Sequence, residues 1–299
     1  MTRVGQRFLE VRERGDMSAG ADLARDDRVL PVSRGVSLFI LPFLIIGFLL
    51  LYPFPSSTDR FFAWTIHPTM TPMVLASAYL GGAFYFFRAW RAWHWHRIKT
   101  GFPAVTLFAT LLGVATVVHW DKFNHQHVTF WVWTALYFLA PFLVLGAWLS
   151  NRRYEAIARA AEPRLPDPLR WTIATVGALA LLTGVLMFLA PSTVIPVWPW
   201  LLTPLTCRVI GAVFCLGSAL LIVLRDPRVM TLRLMLQVGL IMIALIDVAA
   251  LRARGEFYLD RPLTWIMLAG FVAMLAGCAY LTWTLPRAQQ TQTDGSPPA

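Results

Sequence analysis

Long apolar stretches alternate along the chain with short polar connections that carry most of its charge. Each stretch is about 20 residues long, the length that an α-helix needs to cross the hydrocarbon core of a bilayer. Odd and even positions are both apolar, whereas the strands of a membrane β-barrel alternate apolar and polar residues, so the spanning structure must be helical. We therefore predict an all-α integral membrane protein with eight transmembrane helices, over Val36–Phe54, Thr71–Phe87, Gly101–His119, Thr129–Leu149, Trp171–Ala190, Leu205–Leu224, Thr231–Ala250 and Pro262–Thr284.

The chain also resembles itself. In an alignment of the sequence with itself, residues 48–68 match residues 184–204 without a gap. The alignment places Pro55 on Pro191, Ser56 on Ser192, Trp64 on Trp200 and Pro68 on Pro204. Matching Pro and Trp are more informative than matching Leu, which any two apolar spans share by chance. Since four helices return the chain to the side it came from, we predict two parallel tandem repeats of four helices, related by an axis along the membrane normal.

These patterns divide the chain into five segments. We predict a polar cytoplasmic extension over 1–35, a four-helix half over 36–150, a cytoplasmic linker over 151–170, a second four-helix half over 171–286 and a disordered cytoplasmic tail over 287–299. The extension mixes Arg with acidic residues, so we expect neither a secretory signal nor a transit peptide there. The tail is rich in Gln, Thr, Ser and Pro, a composition that favours disorder.

Composition and charge agree with a membrane location. The chain is 57% apolar and 14% charged, whereas soluble proteins carry about 25% charged residues. The net charge is +10, and on the predicted topology 20 of the 26 Lys and Arg residues lie on the side of the termini. The opposite side carries Arg60, Lys122, Arg252, Arg254 and Arg261, and Arg208 lies within a span. In membrane proteins generally, Lys and Arg residues are enriched in the connections on the cytoplasmic side.

This asymmetry predicts a plasma-membrane protein with both termini in the cytoplasm. It also predicts an attraction to the anionic headgroups of the cytoplasmic face of the bilayer, and it argues against a nucleic-acid partner. A membrane-protein partner and a homo-oligomer are both left open.

The candidate ligand-binding residues are ionisable side chains in or beside the spans: His67, His119, Asp121, Arg208 and Asp247. Such groups are costly in hydrocarbon unless they are paired, which makes them functional candidates. At about 1.5 Å of rise per residue, all five fall near the extracytoplasmic ends of their helices. We predict a ligand site open to that side, with an ion pair between Arg208 and Asp247 on neighbouring helices.

The string from His119 to His127 raises the question of a metal. His119, His125 and His127 have side chains that ligate transition metals, but their spacing matches no standard zinc site. We favour an interfacial turn whose polar groups meet water. A metal, a haem held between histidines of different helices, and proton or solute handling are the alternatives. The predicted cofactor is none, with a metal or haem as the alternative.

No catalytic motif accompanies these residues. The sequence contains no phosphate-binding loop, Gly-rich nucleotide fingerprint, nucleophile elbow or H-E-x-x-H motif. Two functional classes follow. The favoured one is a non-enzymatic bundle, either a carrier of a small solute or lipid or an accessory subunit of a membrane complex. The other is a metal- or haem-binding membrane oxidoreductase with its site near the extracytoplasmic face.

The first testable prediction is the topology. Single cysteines introduced near Asn124 and Glu256 should react in intact cells with a thiol reagent that does not cross membranes, because both loops are predicted to be extracytoplasmic. A cysteine at Arg159 should react only after the cells are permeabilised. Labelling of the Arg159 position from outside would contradict the predicted orientation.

Overall fold

Eight long helices make up most of the protein. A computed structural model describes residues 27–154 and 163–285. The helices are α1 (Pro31–Leu51), α2 (Met70–Arg91), α3 (Gly101–Val118), α4 (Val128–Asn151), α5 (Asp167–Leu189), α6 (Pro204–Cys215, continued as a 3₁₀ helix over Leu216–Leu224), α7 (Val229–Arg252) and α8 (Pro262–Thr284). All eight are long and apolar enough to cross a membrane. The described residues therefore form an all-helical, multi-pass membrane protein, as predicted.

Several helices extend beyond their predicted bounds because proline or charged residues are tolerated at helix ends. α1 begins at Pro31 rather than Val36, and α5 begins at Asp167 with a proline in its first turn, where the missing N–H costs nothing. α2 continues to Arg91, and the guanidinium of Arg91 lies over the ring of Phe87. Residues 1–26 of the predicted extension, 155–162 of the linker and the tail from 286 onward lie outside the described residues.

The segments between the helices divide into two groups, one at each end of the bundle. The proximal end carries residues 27–30, 92–100, 152–154 with 163–166, 225–228 and 285, and the distal end carries residues 52–69, 119–127, 190–203 and 253–261. Successive helices run in opposite directions between these ends. Short helical segments lie in two of the distal connections, over Pro55–Ser57 with Thr58–Phe61, and over Pro191–Val194 with Ile195–Val197.

Helix pairing joins the two halves of the chain. α1 packs on α2, α3 on α4, α5 on α6 and α7 on α8, while α2 packs on α7 and α3 on α6 across the halves. α2 is the least apolar and the most buried of the eight helices, since protein rather than lipid surrounds it. α1 also packs on α4, but no comparable contact among the described residues joins α5 to α8. α8 therefore stands at the edge of the bundle, held mainly by α7.

Glycines allow the closest helix contacts. A Cβ atom at Gly184 of α5 would lie 2.5 Å from the carbonyl oxygen of Gly211 in α6, and one at Gly211 would lie 2.7 Å from the carbonyl oxygen of Gly184. Lipid provides no hydrophobic drive for helix association, so close backbone approach and van der Waals contact must hold membrane helices together. This reciprocal pair of glycines fixes the separation of α5 and α6.

Gly184→Ala should therefore separate these helices and destabilise the protein. Because the new methyl group would meet backbone atoms that cannot rotate away, we expect a loss of about 1–3 kcal/mol, measured as a lower midpoint of thermal unfolding in detergent. Gly146→Ala in α4 is the matched control, since a Cβ there meets nothing within 4 Å, and it should leave the midpoint unchanged or slightly raised. Equal midpoints for the two variants would contradict the proposed role of the glycine contact.

Candidate functional site

His119 and Arg208 meet at the distal end. Nη1 of Arg208 donates a hydrogen bond to Nε2 of His119 at 2.7 Å, which requires the imidazole proton to be on Nδ1. Burial lowers the pKa of His119, and the positive charge of Arg208 lowers it further. The imidazole is therefore a neutral acceptor at physiological pH. Two of the five candidate residues are thus brought together, one from the end of α3 and one from the first turns of α6.

The predicted ion pair between Arg208 and Asp247 is wrong. Arg208 is hydrogen-bonded to His119 instead, and Oδ2 of Asp247 is buried without a hydrogen-bond partner in the described part of the chain. Neighbouring antiparallel helices bring two side chains into contact only when both lie on the facing sides. Arg208 faces α3, which packs on α6, so the sequence-adjacent helix α7 is not its partner.

The other two candidates lie apart from this pair. Asp121 is exposed and forms an ion pair with the adjacent Lys122 at 2.7 Å, and the hydrogen bond from Lys122 lowers the pKa of Asp121. His67 is also exposed, just before α2. Surface ion pairs of this kind contribute little to stability, so Asp121 and His67 are interfacial residues that meet solvent.

The three histidines considered as metal ligands make separate contacts. His127 contacts the carbonyl oxygen of Phe62 through Nδ1 and the side-chain amide of Asn124 through Nε2, while the ring of His125 packs edge-on against Phe130. His119 is engaged by Arg208. Within residues 27–154 and 163–285, no group of three or more His, Cys, Asp and Glu side chains is placed to hold a metal ion.

Glu256 is a distal residue whose role the sequence did not indicate. Its carboxylate accepts hydrogen bonds from the backbone N–H of Thr69 at 2.9 Å, the hydroxyl of Thr69 at 2.6 Å and the backbone N–H of Met70 at 2.8 Å. These groups form the N-terminus of α2, where a negative charge is stabilised by the helix dipole. The connection between α7 and α8 thus supplies the carboxylate that caps α2.

Among the described residues, the most deeply buried charges lie in connections at the proximal end. Asp226 accepts hydrogen bonds from Nζ of Lys99 at 3.0 Å, from Nη2 of Arg228 at 2.6 Å and from the hydroxyl of Thr231 at 3.2 Å. The side chains of Lys99, Asp226 and Arg228 are each only 8–11% exposed. This proximal cluster links the connection between α2 and α3 to the connection between α6 and α7.

A second buried acid anchors the segment before α1. Asp27 accepts a hydrogen bond from the backbone N–H of His96 at 3.0 Å and is paired with the imidazole of the same residue. Two tryptophans beside His96 differ in burial. Trp93 is 75% exposed and lies beneath the guanidinium of Arg34, whereas Trp95 is fully buried in the core.

A large apolar cavity lies inside the bundle. Its volume is about 580 Å³, and residues from all eight helices line it, within the range of about 300–1,000 Å³ that is typical of ligand sites. The lining residues include Leu179 of α5 and Ile266 of α8, which are 59% and 68% exposed. The cavity therefore opens sideways between α5 and α8, toward the hydrocarbon of the bilayer.

The cavity wall offers few polar groups and no charged ones. The hydroxyl of Tyr85 donates to the carbonyl oxygen of Ile98 at 2.6 Å, and the hydroxyl of Tyr137 is bonded to that of Tyr79 at 2.9 Å. The indole N–H of Trp200 donates to the hydroxyl of Thr71 at 3.0 Å. Thr183 and Trp198 are the remaining polar residues of the wall.

Comparisons with known proteins add no further assignment. The chain matches no protein-family model, no curated protein and no solved structure. Its function must therefore be inferred from its own residues.

The proximal cluster predicts a specific dependence of stability on pH. Burial alone would raise the pKa of Asp226, but hydrogen bonds from Arg228 and Lys99 outweigh burial and hold the pKa far below its usual range. The carboxylate therefore stabilises the fold at neutral pH. That contribution declines as the pH falls below the ordinary aspartate value of about 4, where the unfolded chain takes up a proton first.

Asp226→Asn should cost about 3–5 kcal/mol at neutral pH, because it removes the negative charge from a buried ion cluster. It should also flatten the loss of stability below about pH 4, when thermal midpoints are measured from pH 3 to pH 8 in detergent. Asp121→Asn is the control, since Asp121 is exposed and its pair with Lys122 contributes little. If both variants lower the midpoint equally, the cluster has no special role.

Proposed function

We propose that this protein is a non-enzymatic membrane bundle that binds a chain-shaped lipid in its apolar cavity and acts as a lipid carrier. The observation that carries the proposal is the cavity itself: about 580 Å³, walled by apolar side chains and open to the hydrocarbon between α5 and α8. The ionisable clusters at the two ends are engaged with the protein's own residues, so they do not supply a comparable vacancy for a ligand.

The chemistry of the wall favours a lipid over a polar solute. A polar molecule would give up its hydrogen bonds to water on entering a space without charged side chains, and such a transfer costs several kcal/mol when nothing replaces those bonds. An alkyl or isoprenoid chain has no such bonds to lose and could arrive directly from the bilayer. A cavity that opens to the hydrocarbon also favours a carrier over an accessory subunit, because a carrier must bind its lipid whereas an accessory subunit needs a surface that binds another protein.

We further propose that the two halves arose by duplication. At the proximal end, isolated β-bridges join Arg28 to His94 and Arg164 to Arg228. Arg28 and Arg164 are 136 positions apart in the sequence, as are Pro55 and Pro191. His94 and Arg228 are 134 positions apart. A backbone hydrogen bond is repeated in the same way. The N–H of Trp95 donates to the carbonyl oxygen of Asp27, and the N–H of Val229 donates to that of Pro163, both at 3.0 Å, with the same offsets between the acceptors and between the donors. Unrelated halves would have no reason to share these pairings.

The distal end supports the duplication independently. The backbone N–H of Asn124 donates to the carbonyl oxygen of Ala63 at 2.8 Å, and that of Tyr258 to Pro199, also at 2.8 Å. The same two offsets relate these pairs. The pairing of α2 with α7 and of α3 with α6 is reciprocal as well, since each joins the second helix of one half to the third helix of the other. These contacts support two parallel repeats around an axis along the membrane normal.

The orientation we propose places the proximal end in the cytoplasm and the protein in the plasma membrane. Its support is the predicted topology, on which 20 of the 26 Lys and Arg residues lie on the side of the termini. On this orientation the His119–Arg208 pair and the cap that Glu256 places on α2 lie at the extracytoplasmic face.

Filling the cavity tests the lipid proposal. Gly270 of α8 lines the cavity, and a Cβ atom there meets nothing within 4 Å, so Gly270→Phe should place its ring in the space without displacing a helix. Gly277→Phe is the matched control, because Gly277 lies on the same helix, also has open space and does not line the cavity. We expect several-fold less co-purified lipid for Gly270→Phe than for the wild type.

The measurement is the amount of lipid per protein after purification in detergent, quantified by mass spectrometry of the extracted lipids. Gly277→Phe should retain the wild-type amount. Equal retention by all three proteins would overturn the proposal. Stoichiometric bound metal, or a haem band in the visible spectrum of the wild type, would favour the oxidoreductase alternative instead.

A further inference from the structure

One donor on the cavity wall has no partner. The indole nitrogen of Trp198 is buried, and no protein acceptor within the described residues bonds it, although the Trp198 side chain is only 3% exposed. Buried N–H groups are almost always hydrogen-bonded, and an exception calls for an explanation. Trp198 is also one of the residues that line the cavity.

The surroundings of Trp198 hold its indole in place. Its ring packs edge-on against Trp200, with centroids 5.3 Å apart, and against Phe214, with centroids 5.9 Å apart. Its carbonyl oxygen accepts a hydrogen bond from Arg261 in the connection before α8. These contacts fix the position of the indole at the distal end of the cavity wall.

From this placement we infer that the ligand of the cavity is a long apolar chain bearing a carbonyl oxygen at its distal end, and that this oxygen accepts a hydrogen bond from Nε1 of Trp198. The inference rests on the proposed lipid-binding function and adds the chemical class of the ligand. Trp198 lies in the connection between α5 and α6, at the depth where tryptophans meet the polar boundary of a bilayer. Two sources share the required chemistry: the ester carbonyl of an acyl lipid and the ring carbonyl of an isoprenoid quinone.

Trp198→Phe removes the donor while keeping an aromatic ring. The first half already has phenylalanine at the corresponding place, since the repeat alignment sets Phe62 on Trp198, and Phe62 packs there against Trp64 with centroids 4.9 Å apart. Trp64→Phe is the matched control. The indole nitrogen of Trp64 is also buried without a partner in the described regions, and its side chain is also 3% exposed, but Trp64 does not line the cavity.

Three probes separate the two sources: a diester phosphatidylcholine, its diether analogue without the carbonyl groups, and a ubiquinone analogue with a long side chain. Each is titrated into delipidated full-length protein in detergent, and binding is followed by native mass spectrometry. Trp198→Phe should weaken binding of the carbonyl-bearing ligand roughly two- to twelvefold, the effect of one net hydrogen bond, and leave the diether unchanged. Trp64→Phe should change none of the three.

The pattern across probes decides the result. A loss confined to the diester identifies an acyl lipid, and a loss confined to the ubiquinone analogue identifies a quinone; both support the inference. Equal affinities of the wild type and Trp198→Phe for every probe, or an equal loss for the diether, would overturn it while leaving lipid binding intact. If the wild type binds none of the probes, both the inference and the proposed function fail.

Discussion

The packing of α2 on α7 and of α3 on α6 is the interaction on which the rest of the structure depends. In a bilayer these four helices gain nothing from leaving water, so their association relies on close contact and on the polar bonds at their ends. The same packing brings His119 to Arg208, and the loop of Lys99 to that of Asp226. Because eight helices cannot all pack against a single axis, this packing also leaves unfilled space along the interface between the two halves. This space is the cavity.

The 3₁₀ part of α6 lies where the offset of the proposed repeat changes. Residues that correspond between the proposed repeats are 136 positions apart before this helix, as Pro55 and Pro191 are, and 134 positions apart after it. The second proposed repeat is therefore two residues shorter in this stretch. The segment Leu216–Leu224 forms a 3₁₀ helix, which rises about 2.0 Å per residue instead of about 1.5 Å. A run this long is unusual for a 3₁₀ helix.

The sequence predicted the helices well and the side-chain partners poorly. Continuous apolar runs determine where helices cross the bilayer, so all eight were located, with errors confined to ends such as Pro31 and Arg91. Partners depend on which helix faces which, and hydrophobicity is nearly uniform around a membrane helix. This is why Arg208 was assigned to Asp247 on the next helix, and why Asp226 and Glu256, both in connections, were overlooked. The cavity and the free donor of Trp198 depend on the packing of residues far apart in sequence and have no local signature.

The cap that Glu256 provides on α2 has a consequence for biosynthesis. α2 is made early, but the carboxylate that satisfies its first N–H groups arrives only with the connection between α7 and α8. Until then, this helix end must rely on water or lipid headgroups for hydrogen bonds, because unsatisfied backbone groups are not tolerated in hydrocarbon. The first half can therefore enter the membrane before the second is synthesised but cannot reach its final form. Completion of the fold waits until the connection after α7 has left the ribosome, so a nascent chain stopped within α7 would present a loosely anchored α2 to membrane quality control.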